Sequence, residues 1–144
     1  MTGKEKILVI DDDPLVLRTL SRILTIQGFH TTTAHNSEKA LECASRENYD
    51  VVLSDIRMPR TNGVTTVKKI EEIYRGRNRP CGFIFLTGFA EETERHEAVQ
   101  MVGVADFMMK PFDSDKLISA IEYELEMMRR RTPSQPQADL NARN

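Results

Sequence analysis

The chain is constrained most by an alternation. Five short strand-like runs are each followed by a longer segment of helical character. The first run, Ile7-Leu8-Val9-Ile10, is apolar at every position, the pattern of a strand covered on both faces. Asp11, Asp12, Asp13 and Pro14 follow it, and Asp before Pro before an apolar-periodic stretch is a helix start. Leu17, Leu20 and Leu24 then fall on one helical face, and Gly28 supplies the stop. His30 to Ala34, with three threonines, is a weaker second strand, and Ser37 is placed to cap a second helix to about Arg46. Val51-Val52-Leu53 is a buried third strand ending at Ser54 and Asp55, and a loop with Met58-Pro59 and Asn62-Gly63 follows. Val67, Ile70 and Ile73 mark a third helix, and Arg75 to Pro80 a polar connector. Phe83 to Leu86 is a fourth strand ending at Thr87, and Glu91 to about Met101 a fourth helix. Asp106 to Met109 is a fifth strand ending at Lys110 and Pro111. Asp113 or Ser114 caps a fifth helix, with Leu117, Ile118, Ile121, Leu125 and Met128 on its apolar side.

Strand-helix repeated five times implies a parallel sheet with helices on both faces, an α/β doubly wound fold. The expected organisation is one domain over residues 1–131 and a polar, disordered tail over 132–144. The 144 residues suffice for a core without disulfides or metals. Twenty basic against twenty-two acidic side chains argue against binding nucleic acid through bulk charge. Cys43 and Cys81 are too few for a disulfide framework and are expected to be reduced thiols in a cytoplasmic protein. No apolar run approaches the roughly 18 residues of a membrane helix, and the N-terminus is not expected to be a signal peptide.

Parallel α/β sheets bind ligands at the carboxyl ends of their strands. Those ends carry Asp11 and Asp12, then Asp55, then Thr87, then Lys110. Three close carboxylates repel and call for a hard cation, for which oxygen ligands suit Mg²⁺ or Mn²⁺. A divalent metal beside an ammonium and a hydroxyl is what a phosphoryl group requires, and the Asp55 carboxylate is itself an acceptor for one.

These residues resemble the response regulator receiver domain. The matching segments are Ile10-Asp11-Asp12-Asp13-Pro14, Ser54-Asp55-Ile56-Arg57-Met58-Pro59 with Gly63, Leu86-Thr87-Gly88, and Phe107 with Lys110-Pro111-Phe112. The resemblance implies a flavodoxin-like (βα)5 fold, with a five-stranded parallel sheet and five helices. It implies Asp55 as phosphoacceptor and a Mg²⁺ site from Asp12, Asp55 and the backbone carbonyl of Arg57, with Asp11 acting indirectly and Mn²⁺ as a substitute. Lys110 would pair with the phosphoryl group, and the Lys110-Pro111 peptide bond would be cis. Thr87 and Phe107 would be the switch residues, coupling phosphorylation to the surface of the fourth helix, fifth strand and fifth helix. The implied partners are a sensor histidine kinase or a phosphotransfer protein, then a downstream protein or an effector domain outside these residues. A homodimer through the switch surface is a further option; no direct nucleic acid or membrane contact is expected. Thr61-Asn62-Gly63 departs from the family's frequent Met-Asp-Gly, and Phe107 from its frequent Tyr. Arg57 and Phe89 hold positions that tune dephosphorylation in the family.

Other residues have plainer roles. Asp13 is a helix cap. His30, His35 and His96 lack metal-ligand spacing, and Cys43 is a small buried hydrophobe. Arg129 to Arg131 suit a helix C-terminus. A competing function is a haloacid-dehalogenase-type phosphatase with Asp11 as nucleophile, given the Asp11-x-Asp13 spacing, although Leu15 departs from its pattern. A pseudo-receiver without phosphorylation is a third.

Overall fold

A computed structural model describes residues 5–58, 61–87, 106–109 and 113–131, with backbone alone at Arg57, Thr61, Thr87, 106–109 and Arg131. In chain order the elements are β1 (Lys6–Ile10), α1 (Pro14–Ile26), β2 (His30–Ala34), α2 (Ser37–Arg46), β3 (Val51–Asp55), β4 (Arg57–Met58), β5 (Thr61–Asn62), α3 (Gly63–Gly76), β6 (Gly82–Thr87), β7 (Asp106–Met109) and α4 (Ser114–Arg131). Thus β6, β7 and α4 are the fourth strand, fifth strand and fifth helix of the sequence expectation. The expected helix over 91–101 and the tail over 132–144 lie outside the described residues.

Five strands form one parallel sheet in the order β2-β1-β3-β6-β7. The order reverses direction at β1, which is flanked by β2 and β3, so a crevice opens between the carboxyl ends of β1 and β3. Strand pleating splits the apolar runs between two cores. Ile7, Val9, Leu53, Ile84 and Leu86 pack with Leu20 and Leu24 of α1 and Leu117 and Ile121 of α4. Leu8, Ile10, Val52 and Phe85 pack with Ala40 and Ala44 of α2 and Val67 and Ile70 of α3. That two-sided cover is why β1 and β3 lack polar alternation.

The helix ends follow from local chemistry. Asp13 Oδ1 accepts the Leu15 N–H at 2.9 Å, and Pro14 opens α1. At the other end Gly28 takes φ 97°, its N–H bonds Thr25 O at 3.0 Å, and Phe29 N–H bonds Leu24 O at 3.1 Å. Asn78 does the same for α3 at φ 56°. Its N–H reaches Arg75 O at 3.0 Å, and Arg79 N–H reaches Tyr74 O at 2.8 Å. Asn36, not Ser37, caps α2, its Oδ1 accepting the Lys39 N–H at 2.7 Å. Asp113 serves α4, accepting the Asp115 N–H at 2.8 Å.

The ends of α2 and α3 far from the carboxyl edge are tied together. Tyr74 hydroxyl donates to Glu47 O at 2.8 Å and accepts the Tyr49 N–H at 3.1 Å. Arg77 donates to Ala44 O at 3.1 Å and Asn48 Oδ1 at 2.8 Å, so carbonyls left open at the end of α2 gain a cationic partner.

Candidate functional site

Strand register brings the carboxylates together. Ile10 lies opposite Ser54, so the next residues, Asp11 and Asp55, are level and share the pleat parity of Val9 and Leu53. Asp11 N–H bonds Ala34 O at 3.2 Å, extending the β1–β2 ladder one residue past Ile10. Asp11 Oδ1 accepts the Asp13 N–H at 3.0 Å, which holds that carboxylate at the mouth of α1. Asp11, Asp12 and Asp55 each offer an oxygen, and these atoms all lie within 4.8 Å of one another. Asp11 is fully buried, Asp55 is 8% exposed and Asp12 faces solvent. The cluster thus joins two buried carboxylates to one exposed one.

Like charges at that spacing oppose one another. With an effective dielectric of about 20, one pair of unit charges some 5 Å apart repels by on the order of 3 kcal/mol. The donor set is all oxygen and one of its members, Asp12, is exposed, which suits a small, partly hydrated divalent cation. His30 and His35 are exposed and stand outside the cluster. Asp13 also stands outside it, and its Oδ1 accepts the Leu15 N–H at the start of α1.

The chain after Asp55 is not the simple loop the sequence suggests. Residues Arg57–Met58 and Thr61–Asn62 form a small antiparallel ribbon, with Arg57 opposite Asn62 and Met58 opposite Thr61. The ribbon folds the chain back so that α3 begins directly against the end of β3. Asn62 Oδ1 caps α3 through the Val64 N–H at 2.7 Å, and Gly63 N–H bonds Ile56 O at 2.7 Å. A Cβ on Gly63 would sit 1.8 Å from the Asp55 carbonyl oxygen, so no side chain fits there. Thr66 Oγ1 donates to Asn62 O at 3.2 Å, which leaves the Ser37 hydroxyl to donate to Thr66 Oγ1 at 2.8 Å. These contacts brace the starts of α2 and α3 beneath the site. Their sequence signal was slight: Asn62-Gly63 suggested a turn, and Thr66 gave none.

The remaining expected residues divide. Thr87 ends β6, one residue beyond the partner of Asp55, and Phe107 lies in β7 opposite Phe85. Arg57 opens β4, two residues after Asp55. Lys110, Pro111 and Phe89 lie outside the described residues.

Comparison with known proteins agrees with the geometry. The family model of the response regulator receiver domain matches residues 7–122. The chain is 35% identical over 127 residues to the regulatory protein AtoC of Escherichia coli K12, covering 88% of this chain and 26% of that protein. The chain thus spans about a quarter of the length of that relative. A CheY-like receiver domain protein of Methanospirillum hungatei superposes with TM-score 0.82 at 23% identity, covering 89% of this chain and 98% of that one, a likeness of fold. The Francisella response regulator 1452 receiver domain gives TM-score 0.72 at 28% identity, covering 86% of this chain and 98% of that one. Fold, switch-point carboxylates and family match converge: the chain belongs to the response regulator receiver domain family.

Proposed function

We propose that Asp55 accepts a phosphoryl group in a two-component pathway. The carrying observation is the convergence of Asp11, Asp12 and Asp55 at the β1/β3 crevice. A carboxylate oxygen of Asp55 forms the new bond to phosphorus as the bond from phosphorus to the donor imidazole nitrogen breaks. The electron pair stays with that imidazole, which takes up a proton. Asp12, Asp55 and the backbone carbonyl of Arg57, with Asp11 acting indirectly, would hold Mg²⁺, or Mn²⁺ in its place. When bound, the cation supplies positive charge against the carboxylates and phosphoryl oxygens. Gly63 and the Asn62 cap keep the Asp55 backbone in place.

In this reading Lys110 neutralises a phosphoryl oxygen, with a cis peptide bond to Pro111, and Thr87 donates a hydrogen bond to another. Phe107 then follows Thr87, and the surface formed by the 91–101 helix, β7 and α4 changes. The 91–101 helix would complete the (βα)5 count, and the domain would occupy residues 1–131 with a polar tail to 144. The donor is a sensor histidine kinase or a phosphotransfer protein of a phosphorelay. Output passes to a downstream protein, an effector domain or a second copy of the chain through the switched surface. Among the described residues no helix is long and apolar enough to cross a membrane, and we place the protein in the cytoplasm on its reduced-thiol composition.

Beryllofluoride, a phosphoryl mimic, tests the site. Thermal unfolding of the wild type should shift upward with Mg²⁺ and beryllofluoride together, and the shift should vanish in Asp55→Ala. An equal shift in both proteins would remove Asp55 from the role.

A further inference from the structure

The second strand is a sheet edge without the usual guards. β2 ends the strand order, with β1 on one side and no strand on the other among the described residues. His30 N–H bonds Glu5 O at 2.9 Å, and Asp11 N–H bonds Ala34 O at 3.2 Å. These two bonds fix the phase of the parallel ladder: His30, Thr32 and Ala34 turn their peptide groups toward β1. Thr31 and Thr33 therefore turn theirs outward, each presenting an N–H and a C=O. Helix α1 packs on the sheet face of Ile7 and Val9, and α2 on that of Leu8 and Ile10. Neither helix lies in the plane that a further strand would occupy, and His30 and Thr33 are exposed.

Edge strands that must stay single carry a lysine, a proline or a bulge. Here those devices are missing. Charged residues are 29% of the chain, yet residues 23–37 contain no Lys, Arg, Asp, Glu or Pro. The strand pairs with β1 residue for residue, from Lys6 opposite His30 to Ile10 opposite Ala34, with no bulge. Thr31 adds a demand of its own: its Oγ1 is buried and has no hydrogen-bond partner among the described residues. A buried hydroxyl left so is destabilising, and a neighbour that donates to it removes the penalty.

A second copy of the same strand meets each of these features. Turned antiparallel about a two-fold axis at Thr32, it sets Thr31 opposite the second copy's Thr33, and Thr33 opposite its Thr31. Both are hydrogen-bonded pairs that exchange two N–H···O=C bonds each, and Thr32 meets Thr32 at the wider-bonded position between them. Thr31 and Thr33 stand on the α1 face, level with Ile7 and Val9. The Thr33 hydroxyl of one copy thus lies beside Thr31 Oγ1 of the other, in the cross-strand position where threonines hydrogen-bond. No lysine, arginine or carboxylate of either strand faces its like across the axis.

We infer that β2 is a dimer edge, through which two copies of the chain join by Thr31 and Thr33 into one continuous sheet. The strand order puts β7 at the opposite edge, so the contact forms with or without a phosphoryl group and is distinct from any made by the switched surface. It stands independently of the receiver reading.

Sedimentation equilibrium of wild type, T33P and T33K tests it. The wild type should dimerise with a dissociation constant on the order of 10–100 µM, as befits a short edge contact. Proline at 33 removes a donor that β1 does not use, so the β1–β2 ladder stays while two interchain bonds are lost and the ring obstructs the partner. At about fivefold in affinity per bond, T33P should weaken association at least about twentyfold. T33K leaves the backbone donors in place and guards the edge with a cation, and should also weaken it; this variant decides the matter should T33P not fold. Under mild oxidation T32C should give a covalent dimer and T33C far less of one, because residue 32 lies on the axis. A wild type that stays monomeric up to about 1 mM would overturn the inference. So would association that T33P and T33K leave unchanged, cross-linking at T33C in place of T32C, or association that appears only with Mg²⁺ and beryllofluoride.

Discussion

Gly63→Ala separates two physical arguments that predict opposite signs. Gly63 opens α3, and on helix propensity alone Ala there should stabilise by up to about 1 kcal/mol, with the lower entropy of the unfolded chain acting the same way. The structure predicts the reverse. The new Cβ would lie 1.8 Å from the Asp55 carbonyl oxygen, 2.8 Å from the carbonyl carbon and 3.0 Å from Ile56 Cα. All three are backbone atoms, so no rotamer change relieves the overlap. To restore a tolerable contact near 3.0 Å, α3 and the end of β3 must separate by about 1.2 Å. That displacement stretches the Gly63 N–H bond to Ile56 O from 2.7 Å to beyond hydrogen-bonding range. Overpacking of this kind costs about 1–3 kcal/mol and the buried hydrogen bond about 1 more. Subtracting the propensity gain leaves a loss of about 1–3 kcal/mol. Urea unfolding measures it as a lower midpoint at unchanged slope. Moving the Asp55 backbone also spreads the three carboxylates, so Mg²⁺ affinity should fall in the same variant. A midpoint equal to or above that of the wild type would refute the close-approach reasoning, whatever the metal affinity.

Four further outcomes are expected. In Asp55→Asn the metal-free protein should unfold at higher urea than the wild type, by about 1 kcal/mol or more, because one of three clustered charges is gone; Mg²⁺ should then stabilise it less. In wild type, Mg²⁺ at about 100 times its dissociation constant should add about 2.7 kcal/mol, and chelation should remove that increment. Tyr74→Phe removes the hydroxyl shared by Glu47 O and Tyr49 N–H, and should cost about 1–3 kcal/mol with Mg²⁺ affinity unchanged. Burial raises the pKa of both Tyr49 and Tyr74 above 10.0. Their neutral forms are therefore favoured by folding, the contribution is complete below about pH 10, and it is lost as pH rises through the folded-state values. Alkaline unfolding monitored by the phenolate band should show these tyrosines ionising together with loss of structure, at up to about 1.4 kcal/mol per pH unit for each. Early phenolate formation by both in the intact fold would contradict the burial argument.

Much of this architecture is legible in the sequence for identifiable reasons. β1 and β3 are covered on both faces, so they appear as unbroken apolar runs, and the sudden polar residues Asp11 and Asp55 mark their carboxyl ends. Asp13-Pro14 and Gly28 delimit α1 because capping chemistry is local. What failed to show is what depends on distant partners. The two-residue strands β4 and β5 are too short for any period, so the 57–62 segment carries only loop signals in the sequence. Asn36 and Ser37 are both competent caps, and only backbone geometry chooses Asn36. The close approach of Gly63 to Asp55 depends on how the ribbon folds back. Glu124 stands three residues after Ile121 and four before Met128, yet the apolar side expected for that helix does not include it, and it is buried against Gly82. The glycine that accommodates it is more than forty residues away in the chain.

Intact-protein mass spectrometry after incubation with acetyl phosphate, with and without Mg²⁺, on wild type and Asp55→Ala tests the central claim most directly. The account predicts a gain of one phosphoryl group in wild type that requires Mg²⁺ and is absent from the variant. An equal gain in Asp55→Ala, or a gain in wild type indifferent to Mg²⁺, would contradict it.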